Sequence, residues 1–299
     1  MAGVAYAELT AAVSEAGGFG TLGMTNFSPG EIRTQMRRVR ELTDKPFGVD
    51  LLAALPDSLE ASVDVIIAEG ARAFVSGLGV PFPILAKLKD AGLLVMSMCG
   101  TVRHAVKAAE AGCDAVVAQG TEAGGHTGRV AGFALVPQVV DAVDIPVLAA
   151  GAISDGRGLA AALALGAEGV WMGTRFIASP EAHAGQVYHD RLVAATDEDT
   201  AVTRSYSGKP MRVLKNDWVA EWENRPGDIQ PFPQQAMMAM QEGVMGGIAG
   251  KTDGLDPDRD CLPAGQGAGS IDAIEPAGDI VRRVVAEAEQ VIGRLKGHS

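Results

Sequence analysis

The chain is poor in several features that mark large protein classes. Its three cysteines, Cys99, Cys113 and Cys261, are scattered through 299 residues with no C-x-x-C spacing. That pattern excludes a disulfide framework and a cysteine zinc site, so no metal is expected, and it fits reduced thiols in the cytoplasm. Basic residues are outnumbered, 25 Lys and Arg against 37 Asp and Glu, for a net charge of −12. Such a surface is unsuited to nucleic acid or an anionic membrane. No apolar run approaches the roughly 18 residues of a membrane-spanning helix. Met1 to Gly20 has no basic start and carries Glu8 and Glu15, unlike a secretory leader. These absences predict a cytoplasmic protein that acts on a small molecule, with a homodimer as an open option.

Hydrophobic residues, by contrast, make up 47% of the chain, and glycines number 38. Both suit a large core cut by many tight turns. Short apolar runs alternate with helical patterns. Strands are predicted at Phe19–Gly23, Phe47–Leu52, Ala73–Ser76, Leu93–Met98, Ala115–Ala118, Ile145–Ala150 and Gly169–Met172. Helices are predicted at Ala7–Ala16, Pro29–Leu42, Leu59–Glu69, Pro83–Ala91, Val102–Ala111, Ala134–Val143 and Gly156–Leu165. Ser28 reads as an N-cap with Pro29 at the first helical position. The strands are apolar throughout instead of alternating, as in a parallel sheet covered by helices. Repetition without reversal favours an α/β fold of the closed (β/α)8 barrel type over an open doubly wound sheet. No Gly-x-Gly-x-x-Gly follows the first strand, which weighs against a Rossmann domain.

After Arg175 the rhythm breaks. Ser179–Val202 reads as a polar helical stretch. Ser205–Pro233 reads as loop-rich, and Gln234–Met245 as a helix with Met237, Met238, Met240 and Met245. Ile280–Leu295 is a regular amphipathic helix. The expected organisation is a barrel over residues 1–200, an inserted cap over 201–270, and a C-terminal helix over 271–299 that returns to the barrel.

One stretch stands out for chemistry, Gln119-Gly120-Thr121-Glu122-Ala123-Gly124-Gly125-His126-Thr127-Gly128. It leaves a buried strand and spends three glycines before one histidine. Glycine there permits positive φ and close approach of backbone to a flat or anionic ligand. A histidine so presented exchanges protons near neutral pH. The competing reading is an ordinary surface loop. Two later stretches end consecutive strands: Ala149-Ala150-Gly151-Ala152-Ile153-Ser154-Asp155-Gly156, and Gly173-Thr174-Arg175. Barrel enzymes often hold phosphate there, on backbone N–H groups near a helix N-terminus.

Taken together, AGGFGTLG (16–23), GTVRHA (100–105), QGTEAGGHTG (119–128), the run from Ile145 to Phe176, SGKPMRVLKN (207–216) and AGQGAG (264–269) resemble the nitronate monooxygenase family. That family also holds FMN-dependent enoyl-ACP reductases and NADH:quinone reductases. The resemblance covers nearly the whole chain. It implies an FMN-binding TIM barrel with a smaller cap. It implies that the phosphate lies on Ala150-Gly151-Ala152 and Gly173-Thr174. Gln119, Gly124 and Gly125 would line the flavin, His126 would be the catalytic base, and Gln266 would approach from the cap. Family members begin with a strand and a Pro-Met-Ala-Gly turn against the flavin ring. Here Met1-Ala2-Gly3 would supply the turn, and the first strand is missing from this sequence, leaving a parallel edge. Met98 stands where a Lys or other polar contact is usual. Asp50 stands where Asn is common, and would add negative charge beside an anionic cofactor.

Three functions are compatible with that resemblance. The first is oxidation of alkyl nitronates or nitroalkanes with O2. The second is NAD(P)H-dependent reduction of an enoyl thioester or a quinone. The third is flavin binding without catalysis, against which the intact His126 loop argues. Other residues are expected to be structural: His104 at a helix start, His183 and His189 solvated in a polar helix, and Cys99 without a neighbouring base. The methionines at 237–245 either pack the cap or line an apolar channel. Arg212, Lys215 and Asn216 either form cap contacts or meet an acidic substrate.

Overall fold

The computed structural model describes residues 1–52, 56–77 and 79–297. Seven strands form one parallel sheet: β1 (Thr21–Gly23), β2 (Gly48–Leu51), β3 (Ala73–Ser76), β4 (Leu94–Cys99), β5 (Ala115–Gln119), β7 (Val147–Ala150) and β8 (Gly169–Trp171). Their order in the sheet is β1-β2-β3-β4-β5-β7-β8, each strand lying beside its predecessor. The connecting helices are α1 (Ala7–Glu15), α2 (Pro29–Leu42), α3 (Pro56–Ala68), α4 (Phe82–Asp90), α5 (Val102–Ala111), α6 (Gly132–Val140) and α7 (Gly156–Ala164). α1 precedes β1, and α2 to α7 run between successive strands, so the sheet curls as barrel sheets do.

Local chemistry explains these boundaries. Ser28 and Glu31 form a capping box at α2: Glu31 N–H donates to Ser28 Oγ at 3.3 Å, and Ser28 N–H donates to Glu31 Oε2 at 2.8 Å. Thr101 caps α5 through His104 N–H, and left-handed Gly112 at φ 98° ends it. Inside the curl, Ala73, Val75 and Met96 are buried, and half-buried Met98, Ala115, Leu148 and Trp171 pack against them. A larger cluster, including Phe47, Phe74, Leu88 and Leu135, fills the space between strands and helices.

Among the described residues the sheet's two edges are β1, paired to β2, and β8, paired to β7. A cavity of about 200 Å³ lies between them, lined by Met1, Thr21, Val170, Trp171, Phe176 and Val284 among others. The expected parallel edges are therefore present. The Met1 turn abuts one of them: a Cβ on Gly23 would lie 2.3 Å from the Met1 carbonyl oxygen.

Beyond β8 come α8 (Thr174–Ile177), α9 (Gln186–Val193), α10 (Asp217–Glu223), α11 (Gln234–Gln241), α12 (Gly246–Ala249) and α13 (Ala277–Lys296). Here the structure departs from the sequence reading. Ser179–Val202 is not one helix: α9 occupies its middle, and the strand β9 (Thr200–Thr203) takes its end. The stretch 205–233 holds a buried strand, β10 (Met211–Leu214), and α10, which Asn216 caps through Val219 N–H. Left-handed Gly243 follows the end of α11, so Met245 lies outside that helix. His183 and His189 are packed rather than solvated. His183 stacks on Tyr6 at 4.3 Å and pairs with the Gly250 carbonyl, while Nε2 of His189 is buried.

A second, three-stranded antiparallel sheet has the order β6-β10-β9, and β6 is Gly125–His126. The histidine loop after β5 is thus one edge of that sheet, with His126 in register with Met211.

Candidate active site

A cavity of about 470 Å³ opens at the C-terminal ends of the parallel strands, where barrel enzymes build their sites. β2 contributes Asp50, β4 contributes Met98, and β5 contributes Gln119. The following loop contributes Gly124, Gly125 and His126. Ala150, Gly151 and Ala152 line it from β7, and Gly173 and Thr174 from β8. Met1 and Ala2 reach it from the N-terminal turn. Two expected residues stay out of it. Gly3 turns away in the left-handed region at φ 74° and packs on the Ile248 carbonyl. Gln266 is exposed; its backbone N–H donates to Glu122 O at 2.9 Å, and its neighbours Gly265 and Gly267 line the cavity in its place.

His126 is held on three sides. Its carbonyl accepts from Gln119 Nε2 at 3.1 Å, its backbone pairs with β10, and its Nε2 lies 3.0 Å from Ser207 Oγ. Ser207 Oγ donates to the Lys209 carbonyl at 3.2 Å and accepts from Lys209 N–H at 3.3 Å. Where that hydroxyl proton stays on the Lys209 carbonyl, the matching tautomer donates from Nε2 and leaves Nδ1 as the acceptor nitrogen. Burial and then the positive charge of Lys209 push the His126 pKa below its ordinary value. The ring is therefore neutral at pH 7, the state a base requires.

The phosphate-type turns are built from strained or open backbone. Gly151 has φ 116° and Ala152 φ 52°, the latter costly for a residue with a Cβ. The amides of Ala152, Gly173 and Thr174 make no hydrogen bond among the described residues. Such orphan N–H groups suit an anion. The N-terminus of α7 is not the anion site: Asp155 caps it through Arg157 and Gly158 N–H, and Glu287 takes Gly156 N–H. Thr174 Oγ1 accepts from Gly265 N–H at 3.0 Å, so its hydroxyl also ties the turn to the 264–269 loop.

Other expectations resolve as structure. Glu122 of the histidine loop holds the Gly132 N–H at the start of α6. Arg212 is buried against the Thr121 carbonyl and Thr200, outside the cavity. Asn216 caps α10 and bonds Tyr206. His104 is exposed. Burial pushes the Cys99 thiol up to about 12, so it is no nucleophile. Met238 packs against a cluster that includes Tyr206, Met211, Trp218 and Trp222, whereas Met237 and Met240, each 57% exposed, line the cavity with Phe232. Ser207 and Lys209, absent from the sequence reading as site residues, sit in the quoted SGKPMR stretch. Only the pairing of β6 with β10 brings them to His126.

Comparison with known proteins settles the family. The nitronate monooxygenase model matches residues 1–287. The chain belongs to the nitronate monooxygenase family. It is an oxidoreductase, and enzymes of this family are flavin-dependent in general. FabK from Thermotoga maritima superposes with a TM-score of 0.91 at 38% identity, covering 100% of this chain and 94% of that one. A nitroalkane oxidase from Streptomyces ansochromogenes gives 0.86 at 30% identity, covering 98% and 94%. A (3aS,4S,5R,7aS)-5-hydroxy-7a-methyl-1-oxo-octahydro-1H-indene-4-carboxyl-CoA dehydrogenase of Rhodococcus jostii is 42% identical over 85% of this chain and 72% of its own length. Among the described residues, no helix is long and apolar enough to cross a membrane.

Proposed function

We propose that this chain is an FMN-dependent oxidoreductase of the nitronate monooxygenase type, oxidising alkyl nitronates and nitroalkanes with O2. The observation that carries the reading is a neutral His126, fixed by Ser207 and facing the field of Lys209 in a largely apolar cavity. A nitroalkane has an acidic C–H beside an electron-poor nitro group. His126 takes that proton on Nδ1, the C–H electron pair moves into the nitro group, and the nitronate anion remains near the Lys209 ammonium. A nitronate supplied ready-made needs only the binding part of this arrangement. The free amides of Ala152, Gly173 and Thr174 would hold the FMN phosphate. FMN, when bound, supplies the electron transfer to O2.

A second reading is NAD(P)H-dependent reduction of an enoyl thioester or a quinone. It is favoured by the apolar mouth of Phe232, Met237 and Met240 and by the 42% identity to a CoA-ester dehydrogenase. Anaerobic mixing of the purified flavoprotein with a nitronate, NADH and NADPH in turn decides between them. Bleaching of the flavin by the nitronate and not by the nicotinamides is expected. Bleaching by NADH or NADPH alone overturns the first reading in favour of the second.

A further inference from the structure

Asp50 enters the cavity from β2, at a distance in sheet order from the turns after β7 and β8. Its side chain is 19% exposed, yet Oδ1 is sealed from solvent and has no hydrogen-bond partner among the described residues. A Cβ built on Gly77 would lie 3.1 Å from Oδ1, so that oxygen is wedged against the exit of β3. The exposed part of the carboxyl is therefore the Oδ2 side, toward the cavity. Oδ2 lies 3.9 Å from the Met1 amine, beyond hydrogen-bonding reach, and Asp50 forms no other ion pair among the described residues. The flanking strands place Gly23 and Val75 beside it in register, neither of them ionisable.

An ionised carboxylate spreads its charge over both oxygens, and an orphaned, buried oxygen makes that form costly. A neutral acid leaves Oδ1 as a plain carbonyl and turns Oδ2 into a donor. Burial pushes the Asp50 carboxyl upward and outweighs the lowering effect of the Met1 amine. We propose that Asp50 holds the flavin as a neutral carboxylic acid, donating a hydrogen bond from Oδ2 to an acceptor atom of the isoalloxazine ring. The inference rests on the FMN reading above. It reverses the expectation of an added negative charge: the residue would serve as an uncharged donor, equivalent to an amide.

The test measures FMN affinity at pH 7 for the wild type, Asp50→Asn and Asp50→Ala, together with infrared spectra of the wild type and Asp50→Asn holoproteins in H2O and D2O. A neutral donor predicts that Asp50→Asn binds FMN within about 3-fold of wild type, and that Asp50→Ala binds at least about 10-fold more weakly, the worth of one buried hydrogen bond. It also predicts a carboxylic-acid C=O band, shifted in D2O, that Asp50→Asn lacks. An ionised Asp50 predicts the reverse: Asp50→Asn binds FMN more tightly, and the acid band is absent. That result overturns the proposal, and the infrared spectra separate the two cases even where Asp50→Ala does not fold. Wild-type protein that takes up no FMN overturns the flavin reading itself and this inference with it.

Discussion

Replacing His126 by Asn tests the centre of the proposed chemistry. The substitution removes the ring and its Ser207 contact but spares the two backbone supports: Gln119 still donates to the carbonyl of residue 126, and β6 still pairs with β10. The flavin spectrum and stoichiometry should therefore survive. What disappears is a base that burial and Lys209 keep neutral at pH 7. General-base catalysis contributes typically about 10²–10⁴-fold, or about 2.7–5.5 kcal/mol of barrier. Turnover of a neutral nitroalkane should fall by that factor, while a pre-formed nitronate, already deprotonated, should lose much less. Ser207→Ala should give a smaller version of the same pattern. It leaves the Nε2–H of a buried ring unpaired, worth about 1–3 kcal/mol, or roughly 5- to 150-fold. Steady-state oxygen consumption with paired nitroalkane and nitronate substrates reads both effects. Equal losses on the two substrates, accompanied by loss of flavin, would show His126 to be structural. Full activity on every accepted substrate, including reduction by NAD(P)H, would refute the reasoning altogether.

Three further variants test the same geometry. Lys209→Met should move the acid limb of the nitroalkane pH–rate profile upward: a depressed His126 stays neutral to lower pH, and removing the second cause of that depression brings protonation closer to the ordinary histidine range; an unmoved limb would exclude Lys209 as a cause. The same variant should lose less stability as pH falls through that range, since a histidine whose folded pKa is depressed destabilises the fold on acidification. Gly173→Asp should abolish FMN binding while leaving circular dichroism near wild type, because a carboxylate there meets the phosphate at close range; retained yellow colour at full stoichiometry would remove that turn from the site. Gly124→Ala should lower both the melting temperature and flavin retention, since its Cβ would fall 2.7 Å from Gly265 N and 2.8 Å from Ala264 C, both backbone atoms that cannot swing aside; a variant as stable and as yellow as wild type would contradict that packing.

The parallel sheet is legible in the sequence because most of its strands are short apolar runs closed by a glycine or polar residue, and α2, α5 and α7 carry side-chain caps of their own. Ser28 with Glu31 is the clearest case, since the signal is local and its partner lies three residues away. The small sheet was hidden for the opposite reason. β6 is two residues of a glycine-rich loop, and it becomes a strand only when Met211 and Arg212 arrive from more than eighty residues away. The same long-range pairing concealed Ser207 and Lys209 as companions of His126. Gln266 misled because its flanking glycines, with no side chain to show, are what line the cavity. The role of Asp50 could not be read from residue type, because whether a carboxyl carries charge depends on which of its oxygens finds a donor.

The β6–β10 pairing also makes His126 and the hairpin between β9 and β10, which holds Ser207 and Lys209, a single mechanical piece. Lys209 Nζ lies over the Phe232 ring at 4.3 Å, which ties the Phe232 side of the cavity to the same piece. A displacement of that hairpin would carry the strand of His126 with it.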